Sequence, residues 1–258
     1  MWHFGEFLKN RADEEELSYG TARDYLSHVN RSLAQARGDE ACTVGATRDL
    51  AFPPKSGIAT VDGAVKAALH DKVLAKVSPE VGFVMQLQRA FGFRFREASL
   101  FDATRALKAL DKGAVPMLTR GTKGRQPRAL PEITAEKYQL LMRVAAFQQV
   151  QHHDSLIPSH LSFKAFQSFA WRQTKAADKA YLSHGERKYF ACEYYFEQMG
   201  VRCPVQAGIA HGNAHHQYIA RELNISIAEA KQRDREVRLR LSELLGHHRV
   251  AITNAYLG

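Results

Sequence analysis

The sequence predicts a mainly α-helical protein carrying one small antiparallel β-sheet. Three observations predict it. Apolar residues recur at three- and four-residue spacing through most of the chain, which places them on one face of a helix. Glycine or proline falls at the ends of these periodic runs, where helices start or stop. Residues 114–131 switch character, with two short apolar pieces flanking a stretch punctuated by Gly and Pro, the composition of a β-hairpin.

At 258 residues the chain suits one large or two small domains with a substantial core. A hydrophobic fraction of 45% and a charged fraction of 24% are ordinary for a globular protein and exclude a disordered or fibrous one. Lys and Arg number 36 against 27 Asp and Glu, a net charge of +9, which favours an anionic partner, nucleic acid before membrane surface. No apolar run approaches the roughly 20 residues of a membrane span, and the opening MWHFGEFLKNRADEEE lacks the apolar block of a signal peptide. Cys42, Cys192 and Cys203 are scattered and odd in number, as for buried thiols in a reducing compartment. The expected location is the cytoplasm.

In chain order, Thr21 to Arg37 places Ala22, Tyr25, Leu26, Val29 and Leu33 on one helical stripe, and Gly38 ends it. The following segment, with Gly45 and then Phe52-Pro53-Pro54-Lys55-Ser56-Gly57, reads as a connector. A boundary at 57 therefore separates a short helical piece, 1–57, from a main domain, 58–258. Val61 to Val77 and Pro79 to Phe91 are the next predicted helices, the second carrying Val81, Val84, Met85, Leu87 and Phe91. Arg94 follows Gly92 between apolar helices, where a semi-buried guanidinium needs an acid or an anionic ligand; Glu97, three residues on, can reach back to it.

Within the predicted hairpin, Pro116 confines its strand to an edge. The loop carries Arg120, Lys123, Arg125 and Arg128, either a solvated basic turn or a finger contacting DNA backbone. Thr134 to Val150 and Ser162 to Ala177 are further helices, separated by Pro158. In a helical run from Leu182 to Phe196, His184 and Arg187 share a face at the N-terminus, where an anion is favoured. Residues 201–240 are expected to be a polar loop: Cys203, His211, His215 and His216 fit no standard zinc-ligand spacing, and Gly208 and Gly212 weaken any helical presentation. Ile227 to Leu245 is a helix rich in Lys231, Arg233, Arg235, Arg238 and Arg240, its charge partly offset by Asp234, Glu236 and Glu243. It stops at Gly246; His247 follows at once, and Tyr256 lies nine positions later.

This ordered set resembles the tyrosine recombinases, the phage integrase family, over roughly residues 58–258. The first box looks like Gly92-Phe93-Arg94-Phe95-Arg96-Glu97-Ala98, the lysine hairpin like Gly121-Thr122-Lys123-Gly124-Arg125 leading to Leu130-Pro131. The His-x-x-Arg box is matched by His184 and Arg187, and the terminal Leu-Gly-His with a downstream nucleophile by Leu245-Gly246-His247 and Tyr256. The resemblance implies a helical catalytic domain with a small antiparallel sheet, preceded by a core-binding-like segment. It implies DNA strand cleavage and rejoining through a 3′-phosphotyrosyl intermediate on Tyr256. Arg94 and Arg187 would bind the transition-state phosphate, and Lys123 would protonate the leaving 5′-oxygen. His184 and His247 would bond the phosphate or the tyrosine, with Glu97 as a brace. Neither metal nor cofactor is implied. The partners implied are a double-stranded recombination site and further copies of the chain, two or four on DNA, encoded by a bacterium, phage or mobile element.

Departures from the family pattern are Lys188 after Arg187, where relatives often carry His, and a 63-residue gap between His184 and His247, longer than in compact relatives, so that beside the family 201–240 looks like an insertion. Only Leu257 and Gly258 follow Tyr256, where many relatives carry a docking tail, and the amino-terminal piece is short beside a complete core-binding domain. Two rival activities share these residues: a DNA-binding protein of the same fold that does not cut, and a type IB topoisomerase.

Overall fold

The computed structural model describes residues 1–54 and 56–258. The chain divides into two compact units, Met1–Gly57 and Ile58–Gly258. It is mainly helical, and a two-stranded antiparallel sheet is the only sheet among the described residues. No helix among them is long and apolar enough to cross a membrane.

The first unit is a helix pair, α1 (Trp2–Asp13) and α2 (Tyr19–Arg37). Leu8 and Ala12 meet Ala22 and Leu26, and the following loop closes the small core with Val44, Leu50 and Phe52. α2 starts two residues before the sequence expectation because the Ser18 hydroxyl accepts from the Thr21 N–H at 3.0 Å. It ends where expected, at Gly38 in the left-handed region with φ 76°. Tyr25, expected on the apolar stripe, is 49% exposed, since two helices and a loop cover only a narrow face.

The second unit opens with a correction. Residues 58–66 are not helical; the expected helix is reduced to α3 (Ala67–Leu74). The backbone of the extended stretch is satisfied elsewhere: Ala59 N–H donates to Asn254 O at 2.8 Å and Val65 N–H to Gly185 O at 3.1 Å. Tertiary hydrogen bonds thus override the local helical pattern.

α4 (Pro79–Phe91) buries Val81, Val84, Met85, Leu87 and Phe91. Proline at its first turn and Gly92 at its end, φ 65°, delimit it. A β-carbon at Gly92 would meet Phe190 at 2.4 Å, so this turn lies tight against the helix that follows in the second core. Next come α5 (Phe95–Ser99) and α6 (Ala103–Asp111), the latter capped by Asp102. The hairpin is β1 (Met117–Leu118) and β2 (Arg128–Ala129), paired Met117 to Ala129 and Leu118 to Arg128, with a tight helical turn at Lys123–Arg125. α7 (Ala135–Val150) and α8 (Phe163–Ala177) start at the hydroxyls of Thr134 and Ser162. With α3 to α6 they enclose one core cluster, centred on Phe91, Phe93, Phe101, Leu141 and Phe166.

A second cluster lies among α9 (His184–Met199), α10 (Pro204–Ala207), α11 (Asn213–Leu223), α12 (Ile227–Leu244) and α13 (Asn254–Leu257). Here the expected polar loop is corrected. α10 and α11 occupy it, with Ile219 and Ala230 fully buried. Gly212 begins α11 rather than interrupting it. His215 is a core residue, its Nε2 within 3.0 Å of Arg202 O and its ring between Tyr195 and Tyr218. Arg238, one of the cations of the basic helix, is 2% exposed and paired with Asp234 at 2.9 Å, one turn earlier. Cys192 and Cys203 are buried, Cys42 is half-buried, and all are free thiols.

Candidate active site

The site forms where four short segments meet: the Gly92–Arg94 turn, the start of α9, the Leu245–His247 turn after α12, and α13. Each is placed by its own local chemistry. Gly92 and Gly246 adopt φ 65° and 70°, turning the chain so that Arg94 and His247 project inward. His247 N–H closes the α12 end on Ser242 O at 2.8 Å. α13, tied to Ala59 through Asn254 O, carries Tyr256.

Arg187 is the centre. It is fully buried, donates to Leu245 O from Nη2 at 2.6 Å and bonds Gly92 O through Nη1. Its Nε lies 3.2 Å from the Tyr256 hydroxyl. Arg94 Nη2 stands 3.2 Å from His247 Nε2, which is itself 3.4 Å from both Arg187 Nη2 and the Tyr256 hydroxyl. The His184 ring flanks Tyr256, with centroids 5.7 Å apart. The structure thus brings Arg94, Arg187, His184, His247 and Tyr256 into one cluster. Lys123 is exposed on the hairpin loop, near enough that its charge acts on His247. That loop is seated at Gly121, φ 73°, where a β-carbon would stand 2.9 Å from Arg96 O.

Glu97 organises the cations. It is completely buried and accepts from Arg94 N–H at 2.7 Å, Arg94 Nη1 at 2.8 Å, and both Nη atoms of Arg128 at 2.7 and 2.6 Å. Arg187 Nη1 lies 3.8 Å away. Burial opposes its ionisation, but the bonds and charge of Arg128, the Arg94 N–H and the charge of Arg187 outweigh that and hold the carboxyl down to about 2.

Arg128 corrects the expectation that it contacts DNA. It is 6% exposed and spent on Glu97. Strand alternation could have revealed this, because Arg128 shares a face of β2 with the buried Leu130. Arg120 is exposed and paired with Asp154 at 2.7 Å; Arg125 is exposed.

Three guanidiniums here share one carboxylate, so positive charge exceeds negative in a pocket that holds a phenol. The excess acts on both histidines. Burial first, then Arg94, Arg187, Arg128 and Lys123, push His247 down to about 4. His184 is also lowered to about 4, by loss of water contact and by Arg187, Lys188 and Arg94; as the residue is exposed, the cations carry that direction. Burial and the nearby Arg94 push Arg187 down to about 10 against the pull of Tyr256 and Glu97, so it stays charged at neutral pH.

A stability consequence follows from the histidines. Between pH 6.5 and about 4 the unfolded chain takes up protons that the folded His184 and His247 refuse. Their contribution is fully present above pH 6.5 and is lost as pH falls toward 4. The melting temperature should drop across that window, and His247→Gln should flatten the drop in a thermal melt series. An unchanged slope in that variant would remove the assigned cause.

No group of three or more His, Cys, Asp or Glu among the described residues could hold a metal ion. The arrangement can bind an oxyanion, hold a phenol beside it and accept the phenol's proton. Compared with protein-family models, curated proteins and solved structures, the chain matches none.

Proposed function

We propose that this chain is a site-specific DNA recombinase of the integrase type, cutting and rejoining strands through a 3′-phosphotyrosyl bond on Tyr256. One observation carries the reading: Arg187 Nε and His247 Nε2 both approach the Tyr256 hydroxyl, at 3.2 and 3.4 Å, inside a pocket whose cations outnumber its single carboxylate. The net charge of +9 suits a polyanionic substrate.

In this reading the scissile phosphate displaces the contacts of Arg94 and Arg187 with His247 and Tyr256 and takes bonds from both guanidiniums, while Glu97 keeps hold of Arg94. Its non-bridging oxygens gain charge in the transition state, where fixed guanidiniums stabilise them most. The Tyr256 oxygen attacks phosphorus as its proton passes to His247, which is neutral in the free protein and whose proton affinity rises when the bound phosphate offsets the surrounding cations. The P–O5′ bond breaks, and Lys123 supplies the proton to the departing 5′-oxygen. Rejoining reverses each transfer, so the phosphodiester energy stays in the phosphotyrosine.

The test is a denaturing gel for a covalent adduct with nicked duplexes of randomised sequence, from which the nicked fragment diffuses and traps the intermediate. An adduct that maps to Tyr256 supports the reading. Tight duplex binding without any adduct favours a non-cutting binder, and relaxation of any supercoiled plasmid without a defined site favours a topoisomerase.

Lys123→Ala should slow cleavage by about 10²–10⁴ while leaving binding nearly intact. A substrate with sulfur at the 5′-bridging position should restore the rate, because a thiolate leaves without a proton. Failure of that rescue would take the general-acid role from Lys123. Duplex affinity should fall steeply with added salt, read from binding isotherms at several concentrations.

A further inference from the structure

Beside the phosphate pocket lies a second cavity of about 210 Å³, between α4, α8 and the run Tyr181–His184. Its floor is apolar, from Val81 and Met85, and four aromatic rings take part in its lining: Phe95, Trp171, Tyr181 and His184. Two of these tie it to the cationic cluster, since Phe95 is the residue after Arg94 and His184 flanks Tyr256 at 5.7 Å. The rest of the wall carries neutral polar groups. The Ser183 hydroxyl donates to Gln88 Oε1 at 2.7 Å, and Gln167 lies on the outer side. Lys175 closes the rim with its amine on Lys179 O and Tyr181 O, each at 2.7 Å.

Trp171 stands at the mouth of this cavity. It is 62% exposed, and Leu182 beside the same cavity is 63% exposed. An indole open at a cavity mouth offers a large π-face for stacking. The neighbouring rings are held from behind: Phe95 packs on Phe166 and Phe163 at centroid distances of 5.9 and 6.2 Å.

An aromatic slot suits a flat π-system, neutral amides and a hydroxyl suit its polar edge, and the adjoining guanidiniums suit a phosphate. A molecule that is a planar heteroaromatic at one end and a phosphate at the other is a nucleotide. We infer that this cavity takes a nucleobase, stacked on Trp171, whose own phosphate lies in the Arg94–Arg187 cluster. The inference rests on the proposed function for the phosphate half. Within DNA the base must leave the helical stack, a cost that is smallest for an unpaired base. Such a pocket would place the cut beside a base that is easily unstacked, adding a structural preference to the site choice.

The sequence holds two tryptophans, so Trp2→Phe leaves Trp171 as the single indole reporter. The probes are a duplex with one extrahelical adenine, the same duplex fully paired, and dAMP alone. We expect the bulged duplex to bind on the order of 10-fold tighter than the paired one and to change Trp171 emission. Trp171→Ala should erase that preference without weakening paired-duplex binding. A saturable change with dAMP and no preference for the bulge would assign the pocket to free nucleotides instead of DNA. Equal affinity with unchanged emission, a bulge preference that survives Trp171→Ala, or an emission change that depends only on protein concentration would each overturn the inference. Adduct formation is scored separately: an adduct without a base effect sinks only this pocket, and a base effect without an adduct sinks only the cleavage reading.

Discussion

Replacing Tyr256 by Phe should abolish covalent attachment to DNA while leaving duplex binding within about twofold and the fold intact. The substitution removes one oxygen and two contacts, to Arg187 Nε and His247 Nε2. It keeps the ring that packs near the Arg187 guanidinium at 5.7 Å and beside His184. Loss of such hydrogen bonds costs roughly 1 kcal/mol of stability, whereas loss of the oxygen proposed as nucleophile would remove the chemical step outright. The two effects are therefore separable by melting temperature, binding isotherm and adduct gel. An adduct persisting in Tyr256→Phe would show that another residue attacks.

The second large effect belongs to Glu97→Ala. Removing the one carboxylate leaves Arg128 and Arg187 buried with no acid against them and frees the Arg94 side chain. Breaking a buried charge pair on one side costs about 3–5 kcal/mol, which corresponds to a melting-temperature loss on the order of 10 °C in a unit of this size. The folded carboxyl stays ionised down to about 2, well below the ordinary 4.5. Its stabilisation is thus complete above pH 4.5 and is lost as pH falls through 2, a window that begins where the histidine one ends. Glu97→Gln keeps the shape and accepts part of the hydrogen bonds, so it should fall between wild type and Ala and flatten the acid limb below pH 4.5. If Glu97→Ala melted like the wild type, the three arginines would not depend on this carboxylate. Adduct formation should fall in both variants, because Arg94 loses the carboxylate that sets its position.

The helices and their ends were legible in the sequence. α4, α7, α8 and α12 lie close to where periodicity, capping hydroxyls and terminal glycines place them. These signals are local, acting within one or two turns. The hairpin was legible for the same reason. Less legible were residues 58–66, whose apolar spacing is helical but whose N–H groups bond to Asn254 O and Gly185 O, far along the chain. α11 was hidden because glycine at a helix start and glycine inside a loop look alike without a tertiary frame.

For the site, sequence order alone singled out Arg94, Lys123, His184, Arg187, His247 and Tyr256, and resemblance alone gave them roles. It did not tell which arginines are exposed and which hold the pocket together. Arg128 and Arg120 belong to one basic loop, yet one is sealed on Glu97 and the other is exposed against Asp154. The sequence by itself determined the mainly helical class, the turn glycines and the positive charge, because these depend on neighbours within a few residues. The tertiary structure decided how that charge is distributed: which guanidiniums gather on Glu97, that both site histidines are held below their ordinary pKa, and which hydroxyl stands beside them. Coulomb energy depends on distance and burial through space, and neither is written along the chain.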